Sequence, residues 1–346
     1  MKRVLVVATG RKTRGGITSV IKAHETGPQW KKYHCHWIQT HRDGPVWRKV
    51  CYLMSAWVGF LCRVPFYSIV HIHCAGHRSA ARKLFFAKVS RLLGKKIIIH
   101  FHPSAEKLLF EEPWRTPTFK LFDYSDMIIV LSPYWGKKIR QASPERNYNI
   151  KVLYNPCPTV ERHKGKSAEK YVLYAGILND RKGYNRLLEA FAKVADKHKD
   201  WKLKFAGNGE IEQAKELQRS LGLNDARVKY LGWITGIDKD LVFNGASIYC
   251  LPSWGEGFPM GVLDAMAYGI PVVTTPVGGI DEILENGKEC VITPAGDVDA
   301  LARALDHLIE DGELRFAMVE NADKRKDNDF NLNNICSQLD QLYNEV

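Results

Sequence analysis

The stretch SWGEGFPMGVLDAM, residues 253–266, joins a predicted strand to a predicted helix and carries the densest signal in the chain. The apolar run 247–251 before it indicates a buried strand, and the pattern of 259–268 indicates a helix that begins at a proline. Glu256 and Asp264 lie on either side of the turn, and the first N–H groups of such a helix form an anion site. We therefore predict that the two acids bind ligand hydroxyl groups while the amides between them bind phosphate.

A capping glutamate and a solvated aspartate would be the alternative explanation of these two acids. Three glycines around the first acid favour a ligand site, because glycine lets a backbone approach a ligand closely. They are Gly255, Gly257 and Gly261.

The alternation of strand and helix extends to the rest of the chain and predicts an α/β fold of parallel sheets covered by helices. Further strands are predicted at 3–8, 69–74, 96–101, 127–132, 171–175, 202–206, 228–231, 271–274 and 290–292, and a late helix at 279–285. Segment 157–170 is polar, basic and aperiodic, which indicates a linker. We expect two Rossmann-like lobes that face a central cleft, 1–160 and 161–328, with a terminal helix in 329–346 that packs on the first lobe.

Composition excludes a disordered chain and collagen-like repeats. With 346 residues, 45% hydrophobic and 25% charged, the chain is globular and long enough for two domains. The longest apolar stretch without charge, Val50–Cys62, has 13 residues and falls short of the roughly 20 that span a membrane. Eight scattered cysteines without a CxxC pair predict a reducing, cytoplasmic location.

Charge is distributed unevenly between the halves. Residues 1–160 hold 27 Lys and Arg against 8 Asp and Glu, a net +19, whereas 161–346 hold 23 against 30, a net −7. The first lobe therefore faces an anionic partner, either nucleic acid or a membrane surface, unless its charge is merely solvated. The aromatic-rich, basic-flanked segment 47–63 is typical of an interfacial helix, although a buried helix explains it nearly as well. Together these features favour association with anionic lipid.

Cations follow another strand of the second lobe. The sequence AGILNDRKG, residues 175–183, places Arg181 and Lys182 between a strand and a helix, which suits a diphosphate, although solvated loop charge is the alternative. Trp233 and Ile234 end a further strand, where the indole could stack on a base or belong to the core.

In the first lobe, Gly15 and Gly16 precede a helix and permit close approach of a ligand. The nearby cations either extend an anion site or are flexible surface charge; they are Arg11, Lys12 and Arg14. Histidines cluster at the ends of two predicted strands: His71, His73 and His77 at one, His100 and His102 at the other. Alternate residues share one face of a strand, so these side chains could converge on zinc. No Asp or Glu and no Cys beyond Cys74 stands at ligand spacing, so we predict no metal site.

Three Asp-x-Asp triplets have a metal-binding pattern, at 238/240, 297/299 and 327/329. Two lie at predicted helix starts, where aspartate caps are common, and the third leads into the last helix. We interpret all three as structural.

The order of these motifs resembles glycosyltransferase family 4. The resemblance rests on GILNDRKG (176–183), GNG (207–209), LGW (231–233), EGFPMGVLDAM (256–266) and PVVTTPVGGI (271–280). It extends over essentially the whole chain and is most specific from 171 to 293. It implies the GT-B double-Rossmann fold, retention of anomeric configuration and independence of metal and other cofactors.

The resemblance also implies roles for individual residues. Glu256 would contact the donor sugar, Lys182 the diphosphate and His102 the sugar at its reaction centre, while Asp264, shorter than the family's glutamate, would bind the ribose. Ile177 replaces the family's arginine, and Arg181 would supply that charge. Sugar and phosphate would also meet Gly15, Gly16, Gly257, Phe258, Pro259, Met260 and Gly261. Trp233, beside the base, and Ile234 complete the expected donor-binding residues.

We expect a retaining transferase that moves a sugar from a nucleotide-diphosphate sugar to a hydroxyl of a glycan or lipid-linked acceptor, in cell-envelope polysaccharide synthesis. The acidic lobe would bind the donor, and the basic lobe the acceptor and the inner face of the membrane. The alternatives are a sugar-nucleotide epimerase of the same architecture and a nucleic-acid-binding protein. No binding module for nucleic acid is recognisable, so nucleic acid is not an expected partner.

Overall fold

The computed structural model describes residues 2–163 and 169–346. The chain forms two compact units, one that extends to Pro156 and takes in Phe330–Val346, and another from Cys157 to Asp329. Of the predicted linker 157–170, residues 164–168 lie outside the described residues. The preceding part is anchored in the second unit, where Arg162 Nε donates to the carbonyl of Ala267 over 2.7 Å.

A six-stranded parallel sheet runs through the first unit in the order β2-β1-β3-β4-β5-β6. The strands are β1 (Val4–Ala8), β2 (His36–Gln39), β3 (Ile69–Cys74), β4 (Lys96–Phe101), β5 (Met127–Val130) and β6 (Ile150–Val152). The helices are α1 (Gly16–Thr26), α2 (Pro28–Lys32), α3 (Val46–Leu61), α4 (His77–Leu92), α5 (Lys107–Phe110), α6 (Arg115–Phe122) and α7 (Pro133–Ala142). Because helices cover both faces, the central strands read as continuous apolar runs such as VLVVA.

The second unit has its own six-stranded parallel sheet, in the order β12-β11-β10-β7-β8-β9. Its strands are β7 (Lys170–Ala175), β8 (Trp201–Ala206), β9 (Val228–Gly232), β10 (Ile248–Leu251), β11 (Val272–Thr274) and β12 (Val291–Ile292). Its helices are α8 (Tyr184–Ala195), α9 (Ile211–Ser220), α10 (Ile237–Asn244), α11 (Met260–Tyr268), α12 (Val298–Glu310) and α13 (Gly312–Arg325). The helix predicted for 279–285 is wrong: only a single 3-10 turn, Ile280–Glu282, forms after two glycines with positive φ.

The last helix, α14 (Leu332–Glu345), belongs to the first unit. Its buried residues Ile335, Leu339 and Tyr343 complete a core cluster with Val4 and Val6 of β1. The other face of the same sheet packs against residues of α3, α4, α6 and α7. Within the described residues, we find no helix with the length and apolar character needed to cross a bilayer.

Strand order identifies where each sheet binds ligands. In the second unit the chain runs from β7 outward to β8 and β9, then returns to the other side of β7 with β10. In the first unit the same reversal occurs between β1 and β3. Loops at the carboxyl ends of two such strands diverge and leave a crevice, which is the usual ligand site of open α/β sheets.

Candidate functional site

Two loops meet at the switch point of the second unit, one after β7 and one after β10. The N–H of Trp254 donates to the carbonyl of Arg181 over 2.7 Å and ties the loops together. Gly183 has a φ of +73°, and a side chain there would collide with the Pro252 carbonyl. Glycine is therefore required at 183, because it alone combines this backbone conformation with such close contact.

Glu256 is the centre of this site. It is 8% exposed, and its Oε1 lies 2.5 Å from Lys182 Nζ and accepts a hydrogen bond from Ser253 Oγ over 2.9 Å. The Asn179 side chain accepts from the Lys182 N–H over 3.0 Å, which fixes the turn that presents the lysine. A buried carboxylate requires such partners, because losing hydration without them is very costly. The predicted acid and cation thus lie together, and Ser253 is a partner that the sequence analysis did not identify.

A second cation adjoins the same carboxylate. Arg181 lies 3.6 Å from Glu256 and donates to the Gly255 carbonyl, whereas Ile177 is 52% exposed. A cation therefore lies beside Glu256 at position 181, while position 177 presents an apolar side chain to the surface.

Helix α11 presents its N-terminus to this loop. Val262 is the first residue whose N–H donates back toward Pro259, over 3.1 Å, so the N–H groups of Met260 and Gly261 precede the helical hydrogen-bond ladder. A side chain at Gly261 would collide with the Tyr249 hydroxyl, which donates to Ala175 O over 3.2 Å. The helix start is thus packed tightly against β10 and the end of β7. Gly257, Phe258 and Pro259 are buried in the turn just before it.

Asp264 lies on α11 and pairs with a residue that the sequence analysis missed. Lys239 Nζ of α10 is 2.8 Å from its Oδ1, and burial raises the pKa of the Asp264 carboxyl while this cation opposes the shift. The sequence offered one indication of this lysine, because Lys239 stands between the two acids of the 238/240 triplet. Asp240 of that triplet accepts from the Tyr268 hydroxyl.

The other two triplets are also engaged with protein groups. Asp297 caps α12 by accepting from the Ala300 N–H over 2.8 Å, and Asp299 pairs with Lys193. Asp329 pairs with Arg325 at 2.9 Å.

Trp233 and Ile234, which follow β9, lie apart from the two loops described above. Trp233 is 40% exposed, so the core alternative for its indole is wrong. Ile234 beside it is half-buried. The edge position of β9, two strands from β7, sets both apart from Glu256 and Lys182 along the sheet.

In the first unit, the loop after β1 leads through Gly15 to Gly16, the first residue of α1. Gly15 has a φ of +139° and open space where a side chain would be, so the backbone there is accessible. Arg11 pairs with Glu25 and lies 4.7 Å from the Trp37 ring.

Buried histidines form a stacked row on the face of the first sheet that α14 covers. His73 Nδ1 lies 3.0 Å from His102 Nε2, and His71 Nδ1 lies 2.7 Å from the Tyr343 hydroxyl. Burial lowers the pKa of His102 to about 3, so the ring is neutral near pH 7. His77 lies apart, edge-on to Trp114.

Nitrogens of His71, His73 and His100 lie within 4.8 Å of one another, close enough to test the row as a metal site. The His71 and His100 rings are stacked with an interplanar angle of 4°, and His73 is tilted from His100 by 31°. Lone pairs of stacked rings run side by side instead of converging, which does not fit the tetrahedral arrangement of zinc.

Comparison with known proteins places this geometry in context. Residues 159–325 match the family model described as glycosyl transferases group 1. An uncharacterized glycosyltransferase of Haemophilus influenzae is 32% identical over 175 residues, which are 50% of this chain and 49% of that protein. The capsular polysaccharide biosynthesis glycosyltransferase CapM of Staphylococcus aureus is 28% identical over 186 residues, or 53% and 48% of the two chains. The chain thus spans about half the length of these relatives.

Solved structures resemble the chain over nearly its full length. Sucrose-phosphate synthase from Thermosynechococcus elongatus has a TM-score of 0.82 at 17% identity, with 99% of both chains covered. The Anabaena protein HepE, solved with UDP and glucose, has a TM-score of 0.78 at 17% identity over the full length of both chains. The predicted α/β fold class of GT-B type is confirmed, and so is the resemblance to group 1 glycosyltransferases.

Proposed function

Because residues 159–325 match the family model of the group 1 glycosyl transferases, we propose that the protein transfers a sugar from a nucleotide-diphosphate sugar to a hydroxyl of a glycan or lipid-linked acceptor, with retention of configuration. The observation that carries the proposal is the buried Glu256 with Lys182 and Arg181 at the switch point of the second sheet. This is a carboxylate for sugar hydroxyls next to cations for a diphosphate.

Each part of the donor has a proposed partner. The diphosphate binds Lys182 and the first amides of α11, where both the cation and the helix N-terminus favour negative charge. Glu256, released from Lys182 as the phosphate binds, accepts hydrogen bonds from the sugar, and Asp264 accepts from the ribose. Trp233 is exposed and so available for stacking on a base.

The reaction exchanges one bond at the anomeric carbon for another. The bond from this carbon to the diphosphate oxygen breaks, and the acceptor oxygen bonds to the carbon on the same face. The acceptor's proton passes to the departing phosphate oxygen. Negative charge builds up on the diphosphate, so the fixed cations and amides around it lower the barrier most. With this role filled by Lys182, Arg181 and backbone amides, we propose that transfer needs no metal ion.

In the first unit, we propose that His102 orients the donor sugar and that Gly15 and Gly16 approach its phosphate. The basic charge of this unit suits an acceptor with anionic groups, such as a lipid-linked intermediate at the inner face of a membrane. The capsular-polysaccharide relative supports a role in polysaccharide synthesis. The HepE complex supports a UDP-sugar, and a hexose, as the first donor to test.

The experiment is a thermal-shift panel of UDP-, GDP- and ADP-sugars, followed by product analysis with the donor that stabilises most. A ligand that binds the folded state raises its melting temperature by mass action. We expect one donor to stabilise the wild type and not Lys182→Ala, with sugar transferred to acceptor at full rate in a chelator. Free sugar and nucleoside diphosphate as the only products, with acceptor saturating, would indicate the epimerase instead. Loss of activity in the chelator that Mn²⁺ restores would overturn the metal-independent mechanism.

A further inference from the structure

The first unit contains a long segment without any acid. Residues 44–105 include ten Lys and Arg and no Asp or Glu. This segment forms α3, β3, α4 and β4. A surface built from it has no internal carboxylates to neutralise its cations.

Helix α3 faces outward with its apolar side. Only Ala56 and Phe60 of its 16 residues are buried, and these face the core. The opposite side exposes large apolar residues that recur at helical spacing and continue into the turn after the helix: Val46 (75%), Trp47 (64%), Val50 (51%), Met54 (56%), Val58 (62%), Leu61 (46%) and Phe66 (69%). At 1.5 Å per residue, the part of the stripe on the helix is about 24 Å long. Protein surfaces normally expose apolar residues singly, so a continuous stripe of this length indicates an interaction surface.

Cations border this stripe at both ends. Arg48 and Lys49 lie in the first turn of α3, and Arg63 and Lys95 lie near its end, where Lys95 Nζ donates to the Pro65 carbonyl over 2.9 Å. In the part of the chain that the structure describes, none of these four cations lies within ion-pair distance of a carboxylate. Leu92, at the end of α4, is also exposed, at 85%.

We propose that this face of α3, with its four bordering cations, docks on an anionic lipid surface. An apolar stripe inserts at the level of the headgroups while flanking Lys and Arg bind the lipid phosphates, which is the pattern of interfacial helices. A second copy of the chain is a poorer occupant, because it would bring two acid-free basic surfaces together. Nucleic acid is poorer too, because its phosphates offer nothing to a stripe of Val, Met, Leu and Phe. The inference does not depend on sugar transfer.

The test is flotation of the full chain with vesicles of phosphatidylcholine alone or with about one-third phosphatidylglycerol, at roughly 0.15 M salt. We expect binding to the anionic vesicles and little to the neutral ones. The double variant Met54→Glu/Val58→Glu changes two exposed positions and should weaken binding at least about tenfold, because it places charge in the apolar stripe. The matched control is Ile237→Glu, which alters a 77% exposed apolar residue of the second unit and should bind as the wild type does.

Further arms separate the alternatives. Lys182→Ala should bind vesicles normally, so a failure of the proposed transfer reaction would leave this result intact. Equal binding of the double variant and the wild type would overturn the proposal, as would equal binding to neutral and anionic vesicles. A dimer without lipid that the double variant dissociates would identify a second copy as the occupant, and a salt-dependent shift of nucleic acid that it abolishes would identify nucleic acid.

Discussion

His73 Nδ1 lies 3.0 Å from His102 Nε2, and both rings are buried. Burial lowers the pKa of both imidazoles well below 6.5, so one neutral ring donates to the other. With Nε2 of His102 engaged by His73, only its Nδ1 remains for a ligand. If His102 contacts the substrate as proposed, His73 determines which of its nitrogens is available.

Replacing His73 tests this positioning role. His73→Leu removes the partner of Nε2 and should lower kcat by about tenfold, the usual scale for a residue that orients a functional imidazole, with little change in donor KM. His73→Asn, whose amide can replace the Nδ1 hydrogen bond, should restore most of the rate. Steady-state kinetics and melting temperatures of both variants provide the measurement. Equal kcat in the two would show that the hydrogen bond has no such role.

Lys182→Ala and Glu256→Gln should each reduce transfer by about 10²-fold or more, the scale of losing one preorganised stabilising group. Folding should survive, because Glu256 keeps Ser253 and Arg181 as partners in the first variant. The assay is product formation at saturating donor, with circular dichroism as the check on folding. Lys193→Ala is the control, since its ion pair with Asp299 lies at the surface. Wild-type activity in either site variant would remove that residue from the mechanism.

Arg181→Ala should lower kcat by about tenfold or more, because Arg181 adjoins Glu256 and, in the proposed mechanism, supplies charge for the leaving diphosphate. Ile177→Ala should leave the rate unchanged, since this side chain is half exposed and apolar. Parallel measurement of kcat and donor KM compares the two. The opposite ranking would show that position 177, and not Arg181, governs donor binding.

Stability should fall as the pH drops below about 6.5. Burial lowers the pKa of His24 to about 4, so between these values the unfolded chain binds a proton that the folded chain excludes. The stabilisation is therefore fully present above 6.5 and is lost toward pH 4, by up to about 3 kcal/mol for this residue. Rings of His71, His100 and His102 near it remain neutral in the same range and add to the effect.

Urea unfolding midpoints between pH 7.5 and 4.5 measure this dependence. His24→Gln should flatten the slope, whereas the surface variant His163→Gln should not. An unchanged slope in His24→Gln would contradict the assignment.

Much of the fold was predictable because buried parallel strands are continuous apolar runs. Strands β3 and β4 were predicted to the residue, as 69–74 and 96–101. The edge strands β2 and β6 were not predicted; they have only four and three residues and are not wholly buried. Helix α13 was not predicted either, since few of its residues are buried and its apolar periodicity is weak.

The site divides in the same way. Lys182 and Glu256 follow strands that are neighbours in the sheet, so their meeting could be anticipated from topology. The pair Lys239–Asp264 could not, since it depends on the angle of a helix. Convergence of His73 and His102 was expected from strand alternation, but the hydrogen bond between them depends on ring rotation. The sequence could not show that one apolar side of α3 is exposed. The residue pattern of an apolar helix is the same whether or not its second side packs against protein.

Helix α14 has a consequence for the order in which the protein is made. Its residues Ile335, Leu339 and Tyr343 complete a core that begins with Val4 and Val6. On the ribosome, β1 is synthesised before the second unit, and the helix α14 that packs on it is synthesised only after that unit. Until α14 is available, the apolar face of the nascent first unit that it completes stays partly uncovered and open to chaperones and proteases.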